Sequence, residues 1–335
     1  MLRLQKQLAA AGVLGLNKRN ADLIMRYNPR RLYPRVDDKA LTKRLALAAG
    51  MAVPDLYGII HNQGEVRNLP AIVADYDSFV IKPAHGSGGD GIIIIAARSK
   101  RKRDSFRLAS GLLINEDDLK HHTSNVVGGQ YSLGGEPDVA MIEYCVQFDP
   151  LFSEVSFQGV PDIRVIVYRG YPVMAMVRLP TRTSDGKANL HQGAVGAGID
   201  IRSGKTLAGV LKNAVVDEHP DTGALIGGLQ IPGWDFILQS AARALEVTGL
   251  GYVGVDIVID RHLGPLMLEM NARPGLNIQI ANGTGLCLRI AKIDEIYNAA
   301  DDAARRAAIA REHFSSDQPA APPLVSEAAS AGLPA

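Results

Sequence analysis

The apolar pattern of the sequence VGVDIVIDRHLGPLMLEMN (residues 253–271) predicts two strands joined by a turn, and the rest of the chain is interpreted around this pair. Three oxygen-bearing side chains, Asp256, Glu269 and Asn271, interrupt these strands. Glu269 and Asn271 are two residues apart and so share one face of a strand. A turn at 262–264 would bring Asp256 beside them. Three hard oxygen ligands on one face suit Mg²⁺; the alternative is that they are only the polar ends of two strands.

Length and composition narrow the class of protein. The chain of 335 residues is 47% hydrophobic with a formal net charge of +1, which is typical of a globular protein with about two domains or subdomains. A charge so close to zero gives no support to bulk nucleic-acid or membrane binding. No apolar run approaches the ~20 residues of a membrane span, and Met1–Leu16 predicts an amphipathic helix rather than a signal peptide. We therefore expect a soluble, cytoplasmic α/β protein with Cys145 and Cys287 reduced.

A glycine-rich segment follows the predicted strand Ser78–Ala84. Gly86, Gly88 and Gly91 match the GxGxxG spacing of dinucleotide-binding proteins, but that pattern requires a helix directly after the loop. Four isoleucines follow instead, at 92–95, and predict a second strand. We therefore expect a strand–loop–strand flap whose backbone N–H groups can lie over phosphates. A purely structural hairpin turn is the alternative.

Two lysines lie where they could meet such phosphates. Lys82 is on the strand that enters the flap, and Lys39 is in the first turn of a helix predicted after Asp37 and Asp38. The helix dipole disfavours a cation in a first turn, so Lys39 is expected to have an anionic partner. A solvated surface lysine is the simpler explanation and stays open.

The second half of the chain predicts further strands and helices. Strands are expected at Val139–Val146, Pro161–Val167 and Pro172–Leu179, and helices at 234–247 and 288–309. Asp162 and Arg164 share a strand face, and Arg178 is near the end of the next strand. A polar, glycine-containing loop follows at 187–194. Taken singly, each arginine is more often a surface ion-pair partner than a catalytic group.

Taken in their order along the chain, the candidate residues described above resemble the motifs of the ATP-grasp superfamily of carboxylate–amine ligases. Within it, the chain is most similar to the α-L-glutamate ligases that extend ribosomal-protein C-termini and to shorter α-L-glutamate ligase-like proteins. The resemblance covers roughly 36–290, and 15–20 and 28–30 also look like the shorter relatives. Its motifs are weak singly but specific as an ordered set: Lys39, Ile81-Lys82-Pro83, Gly86–Gly91, Glu143-Tyr144, Asp162-Ile163-Arg164, Arg178, Asn189-Leu190-His191, Asp256 and Glu269–Gly275.

The resemblance implies the ATP-grasp fold, an α/β (α+β) architecture in which two subdomains grip ATP between them. It places the first subdomain, with the flap, at 36–145 and the second, with the metal site, at 146–314. Residues 1–35 would form a short helical segment where such ligases normally carry a full α/β domain. The Pro-, Ala- and Ser-rich residues 315–335 predict a disordered tail.

The resemblance also implies roles for matching residues, with adenine received at Glu143 and the backbone of 144–146. Nucleotide contacts would come from Lys39, Lys82, Gly86, Ser87, Gly88, Gly89, Glu143, Tyr144, Val146, Asp162, Lys187 and Asn189. One or two Mg²⁺ ions, with Mn²⁺ as an alternative, would be held by Asp256, Glu269 and Asn271. The acceptor or the transferred phosphate would be faced by Arg164, Arg178, His191, Gly193 and Arg273. Catalysis would depend on Arg178, Arg164 and Lys82.

These roles imply a ligase that uses ATP to activate a carboxylate as an acyl phosphate, which an amine then attacks to leave an amide. L-glutamate or a similar amino acid would be joined to a peptide or amine acceptor. No nucleic-acid partner is expected, and a homo-oligomer is compatible with the sequence. His191 is a candidate base, although a loop-positioning role is as compatible.

The segment 210–234 departs from the glutamate ligases. Its parts 219–223 and 231–234 resemble a sugar-transfer-associated branch of ATP-grasp proteins. The second hypothesis is therefore an ATP-binding module or a phosphotransferase without peptide-ligase activity. Retention of the three candidate metal ligands favours the ligase.

Overall fold

The computed structural model describes residues 2–86, 88–99, 105–132 and 134–315, with side chains from residue 6 onward. Ser87 and the predicted tail beyond Ser315 lie outside the described residues. The α-helices are α1 Leu2–Ala10, α2 Leu16–Lys18, α3 Met25–Tyr27, α4 Pro34–Asp37, α5 Lys39–Ala48, α6 Leu69–Ile72, α7 Glu116–Val127, α8 Trp234–Ala242, α9 Ala244–Thr248, α10 Ile278–Ala281, α11 Leu286–Ile296 and α12 Ala303–His313. A π-helical turn, Arg19–Ile24, joins α2 to α3.

A six-stranded antiparallel sheet occupies the first part of the chain. Its strands are β1 Leu56–Ile60, β2 Phe79–Pro83, β3 Ile93–Arg98, β4 Ser105–Leu108, β5 Leu113–Asn115 and β6 Ala140–Glu143, in the order β1-β6-β2-β3-β4-β5. Around the glycine-rich loop, β2 pairs with β3, with Phe79 opposite Ile95. The strand–loop–strand prediction is confirmed, because a strand rather than a helix follows the glycines.

A seven-stranded antiparallel sheet follows. Its strands are β7 Asp162–Tyr168, β8 Tyr171–Leu179, β9 Val195–Ile199, β10 Thr206–Leu211, β11 Ala214–Val216, β12 Tyr252–Asp260 and β13 Gly264–Asn271, in the order β11-β10-β9-β8-β7-β12-β13. Every residue of β12 is buried, since β7 and β13 flank it and both faces are covered. Two antiparallel sheets with helices confirm the α+β expectation.

Each sheet has its own hydrophobic core. The core of the first sheet includes Phe79, Ile81, Ile95 and Leu119, the last from α7. The core of the second sheet includes Tyr168, Tyr252, Ile237 and Ile293, the last two from α8 and α11. The segment before α5 adds Leu14, Leu23, Ile24 and Val36 to this second core. The N-terminal segment therefore packs on the second sheet, although the first sheet follows it in sequence.

The two long helical predictions are confirmed. The helix expected at 234–247 is present as α8 and α9, and the stretch expected to be helical at 288–309 overlaps α11 and α12, which begin at Leu286 and end at His313. Within the described ranges, no helix is long and apolar enough to cross a bilayer.

Candidate active site

Six polar side chains form a row across four strands of the second sheet. They are Asn271 and Glu269 on β13, Asp256 on β12, Arg164 and Asp162 on β7, and Arg178 on β8. Asp256 is opposite Glu269 on one side and Arg164 on the other. Asp162 is opposite Arg178. Residues directly opposite each other in an antiparallel sheet share a face, so the hairpin brings Asp256 beside Glu269 as the predicted turn requires.

A β-bulge aims Glu269 into this row. The register shifts by one residue between Asp256, which is opposite Glu269, and Ile257, which is opposite Met267. Leu268 is therefore the extra residue, and a bulge of this kind redirects side chains. Met267 and Glu269 can then lie on different faces although they are two residues apart. Met267 is buried in the core, while Glu269 joins the polar row.

Two arginines hold the buried aspartates of the row. Arg164 donates to Asp256 through Nε (2.7 Å to Oδ1) and Nη2 (2.5 Å to Oδ2). Arg178 donates from Nη2 to Asp256 Oδ2 at 2.8 Å and forms a two-point ion pair with Asp162. Burial would raise the pKa of Asp256, but the two arginines outweigh it and hold that pKa well below its usual range. At Asp162 burial prevails over Arg178, and the nearby Asp256 charge adds to it, so the pKa is raised to about 6.

Glu269 and Asn271 complete the candidate metal position. Asn271 Nδ2 donates to Glu269 Oε1 at 3.2 Å. Burial and the negative charge of Asp256 raise the pKa of Glu269, and a hydrogen bond between the two carboxyl groups adds to the shift. When both groups are ionised, the two like charges repel each other. A divalent cation would relieve that repulsion, and two carboxylates with an amide oxygen are donors that suit Mg²⁺. In the described part of the chain no three Asp, Glu, His or Cys side chains are grouped around one point, so phosphate oxygens and water would have to complete the shell.

On the first sheet, Glu143 is buried between two lysines. Lys43 Nζ lies 2.5 Å from Glu143 Oε2, and Lys82 contacts the other carboxylate oxygen. Lys43 also donates to the carbonyl oxygen of Pro54 at 2.6 Å. Burial would raise the pKa of Glu143, but Lys82 and Lys43 outweigh it and lower that pKa. Two lysines against one carboxylate leave this cluster positively charged.

Lys39 is close to residues of both clusters. Its Nζ donates to the carbonyl oxygens of Gly86 (2.5 Å) and Ala84 (3.4 Å) at the base of the flap. Burial lowers the pKa of Lys39, while the negative charge of Glu269 opposes that shift and the positive charge of Lys82 adds to it. The direct partners of Lys39 are thus carbonyl oxygens, and Glu269 is the anion whose charge it feels most.

The flap depends on glycine for its shape. Gly88, Gly89 and Gly91 have φ of +67°, +83° and +75°, a region that favours glycine. A Cβ on Gly91 would also lie 2.5 Å from Tyr131, whereas Gly88 and Gly89 face open space. Next to them, Asp90 Oδ1 is 3.9 Å from Nζ of Lys187, so the flap tip reaches the loop between β8 and β9.

The predicted adenine-binding segment follows β6 directly. Tyr144 N–H donates to the carbonyl oxygen of Asp55 at 2.8 Å, and its hydroxyl donates to Asp260 at 3.0 Å. Asp260 also accepts the N–H of Gln147. Val146 is half-buried between these contacts. This segment therefore ties the first sheet to the end of β12.

The remaining predicted residues lie off the polar row. Asn189 accepts the N–H of His191 at 3.0 Å, and His191 is exposed. Gly193 has φ of +103°, and a Cβ there would meet Thr183 at 2.8 Å, which is a structural reason for glycine. Arg273 is exposed, with its guanidinium 5.0 Å from the ring centroid of Tyr33.

Sequence reasoning missed Lys43 and the pair His85–Asp138. Lys43 lies four residues after Lys39, so the spacing on one helix face could have identified it. At the flap base, the buried Asp138 accepts the backbone N–H groups of His85 and Val139, and it lies 2.7 Å from Nδ1 of His85. No local pattern predicts a contact between residues 53 positions apart.

The two sheets, the glycine flap and the facing cationic and anionic clusters define an ATP-grasp protein. The chain belongs to the sugar-transfer-associated ATP-grasp family, whose model matches residues 18–295. This agrees with the resemblance of 219–223 and 231–234 to that branch.

Curated relatives carry ligase names. A cyanophycin synthetase from Geminocystis herdmanii is 26% identical over 76% of this chain and 29% of its own length. A probable α-L-glutamate ligase from Azotobacter vinelandii is 23% identical over 71% of this chain and 56% of its own length. The chain thus spans less than a third to just over half of the length of these relatives. A solved structure, the ATP-grasp ligase PsnB with a minimal precursor, is 16% identical over 81% of this chain and 63% of that chain, with a TM-score of 0.44.

Proposed function

We propose that the protein is an ATP- and Mg²⁺-dependent carboxylate–amine ligase. The observation that carries this proposal is the opposite formal charge of the two buried clusters near Lys39. Lys43 and Lys82 exceed Glu143 by one positive charge, which suits phosphate. The polar row has three carboxylates against two arginines, which suits a cation.

In phosphoryl transfer, one group of residues would bind the phosphates and another would bind the metal ion. Lys39, Lys82 and the flap amides would hold the phosphates, as cations and N–H donors do at such sites. Asp256, Glu269 and Asn271 would hold Mg²⁺, which when bound supplies neutralisation of phosphate charge. Little covalent work falls to the protein, because positioning and charge stabilisation dominate this chemistry.

The reaction would proceed in two displacements. A substrate carboxylate oxygen attacks the γ-phosphorus of ATP, ADP leaves, and an acyl phosphate forms. An amine nitrogen then forms the C–N bond, the bond from carbon to the phosphate oxygen breaks, and inorganic phosphate and one proton are released. Arg164 and Arg178 are compensated by Asp256 and Asp162, so we assign them to fixing those carboxylates as well as to charge near the transferred phosphate.

Closure of the flap would protect the acyl phosphate from water. We propose that residues 36–145 and 146–314 act as the two halves that grip the nucleotide. The contact of Asp90 with Lys187 supports a flap that reaches across to the second half. Adenine would lie at Tyr144–Val146, where backbone connects the two sheets.

For the substrates, we propose L-glutamate or a similar amino acid joined to a peptide or amine acceptor. The names of the curated relatives support an amino-acid ligase, although this chain spans only part of their length.

In the direct test, the protein is incubated with ATP, Mg²⁺ and each amino acid, alone and in pairs. Release of ADP and phosphate is measured, and the products are identified by mass spectrometry. We expect release that depends on one or two amino acids. Lys82→Ala and Asn271→Ala should abolish it, and Lys205→Ala, at an exposed lysine, should not. A protein that binds ATP but releases nothing with any amino acid would contradict the ligase proposal.

A second candidate is a phosphotransferase or ATP-binding module of the sugar-transfer-associated type. The family match favours it specifically. It predicts a phosphorylated product, or nucleotide binding without turnover, and the same mass spectra would identify either.

A further inference from the structure

The N-terminal segment, defined as residues 14–37, contacts the chain directly after β13, the strand that carries Glu269 and Asn271. Asn28 is 2% exposed. Its Nδ2 donates to the carbonyl oxygens of Tyr252 (2.6 Å) and Ala272 (3.0 Å), and its Oδ1 accepts the N–H of Tyr252 at 3.0 Å. Asn28 therefore joins the start of β12 to the residue that follows Asn271.

Arg19 makes a second contact two residues further on. Its Nη1 donates to the carbonyl oxygen of Pro274 at 3.0 Å. Its other donors meet Asn20 Oδ1, from Nε at 3.1 Å and from Nη2 at 2.9 Å. The Arg19 side chain is 9% exposed and lies in the π-helical turn, a conformation that often marks functional sites. Asn20 therefore fixes the orientation of the Arg19 guanidinium, which contacts the loop at the Pro274 carbonyl oxygen.

Pro274 also lies beside the polar row, next to Gly254 and Arg164. A Cβ on Gly254 would lie 2.8 Å from Cβ of Pro274 and 3.7 Å from Nε of Arg164. Gly254 is itself opposite Asn271. Pro274 therefore packs over the strand pair beside Arg164, in a space that exists because residue 254 has no side chain.

We propose that Arg19 and Asn28 are positioning residues of the active site: they fix the loop 272–275 and through it the place of Asn271 as a metal ligand. The inference rests on the proposed function, because it assigns the metal to Asn271. Groups that contact a metal ligand directly typically contribute 10- to 100-fold in metal affinity. Arg19 and Asn28 act on Asn271 through the loop, so we expect the lower end of that range. It also gives a role to the segments 15–20 and 28–30, whose sequence pattern is otherwise unexplained.

The test uses the full chain with Arg19→Ala, Arg19→Lys and a matched control, Arg35→Ala. Arg35 lies in the same segment and also donates to a carbonyl oxygen, that of Thr248 at 3.4 Å, so its hydrogen bond ends on α9 and not in the loop 272–275. Two readouts are measured: the Mg²⁺ concentration at half-maximal ADP binding by calorimetry, and hydrogen exchange of the amides in 272–276 without ligand.

We expect Arg19→Ala to raise the Mg²⁺ midpoint about tenfold and to speed exchange in 272–276. Arg19→Lys, which keeps one donor, should recover part of both effects, and Arg35→Ala should match the wild type. Gly254→Ala, which would push Pro274 away, should raise the Mg²⁺ midpoint in the same direction.

Two results would overturn the inference. One is an Mg²⁺ midpoint in Arg19→Ala within twofold of that in Arg35→Ala, with faster exchange in the loop. The other is unchanged exchange in the loop. If the wild type binds no ADP with Mg²⁺, the proposed function fails and the metal role of the segment fails with it. The exchange measurement still distinguishes that case, since it reports separately whether Arg19 holds the loop.

Discussion

The two buried charge clusters are built from similar groups, yet they carry opposite net charge. On the first sheet, flexible lysines flank a single carboxylate, Glu143. On the second sheet, arginine forks bind the aspartates at two points, and Glu269 is left without a basic partner in direct contact among the described residues. Lysine supplies a compact, movable charge, while arginine fixes a carboxylate geometrically. The first cluster is thus suited to receive anions, and the second to present carboxylate oxygens to a cation.

The largest expected effect comes from removing the central carboxylate of the first cluster. Glu143→Gln leaves two buried lysines without an anion, and breaking a buried ion pair in this way costs about 3–5 kcal/mol. Urea unfolding would measure the loss. The control, Glu136→Gln, changes an exposed glutamate and should stay within about 0.5 kcal/mol of the wild type. A loss of unfolding free energy below about 1 kcal/mol for Glu143→Gln would show that the Glu143 carboxylate is not required to stabilise the two lysines.

The next comparison separates the two lysines of the first cluster. Lys82→Met should lower the rate of phosphate release by about 10²–10³-fold, as loss of a charge-stabilising donor does. Lys43→Met should mainly lower stability, because Lys43 Nζ is already engaged by Glu143 and by the Pro54 carbonyl oxygen. Rates at saturating ATP, with unfolding curves for both variants, test this. Equal losses of rate would contradict the division of roles.

Replacing Glu269 in the second cluster should stabilise the metal-free protein, whereas replacing Glu143 in the first cluster should destabilise it. The folded-state pKa of Glu269 is raised by burial and by Asp256, so between the ordinary and the raised pKa the folded state binds more protons than the unfolded state. Its stability therefore falls as pH rises through that interval. In metal-free protein, Glu269→Gln should raise the melting temperature at neutral pH, and the gain should vanish below the ordinary pKa of glutamate.

Nucleotide and metal should reverse this gain. With Mg²⁺ and ADP present, Glu269→Gln should melt below the wild type, because it has lost a ligand. Thermal melts from pH 4 to pH 8, with and without Mg²⁺–ADP, provide the measurement. A variant that is less stable in metal-free protein at neutral pH would show that Glu269 is structurally paired.

The smallest effect is expected at the exposed pair of Asp90 and Lys187, at 3.9 Å. Exposed ion pairs contribute about 0–1 kcal/mol, so Asp90→Asn should leave the melting temperature almost unchanged. ADP release without amine should rise slightly if the contact helps to close the flap. A large change in melting temperature would mean that the flap belongs to the stable core.

Much of the fold could be predicted from the sequence because its signals are local. The glycines followed by isoleucines predict a hairpin, and the apolar strands around Asp256 and Glu269 predict the pair β12–β13. The bulge at Leu268 could not be predicted, since it depends on which residues β12 and β13 pair.

Only part of the polar row could be predicted from local sequence spacing, and its contacts could not. Two-residue spacing placed Glu269 with Asn271, and Asp162 with Arg164, on common faces. The contacts of Arg178 with both aspartates and of Asn28 with Ala272 join residues far apart in sequence, so only the three-dimensional structure reveals them. The same is true of the packing of the N-terminal segment on the second sheet.

If the proposed function is right, the two clusters hold one nucleotide–metal complex between them. A crystal structure with a non-hydrolysable ATP analogue and Mg²⁺ tests this most directly. We expect phosphates on Lys39 and Lys82 beneath the flap, and Mg²⁺ in contact with Asp256, Glu269 and Asn271. A nucleotide bound elsewhere, or Mg²⁺ that touches none of these three side chains, would contradict it.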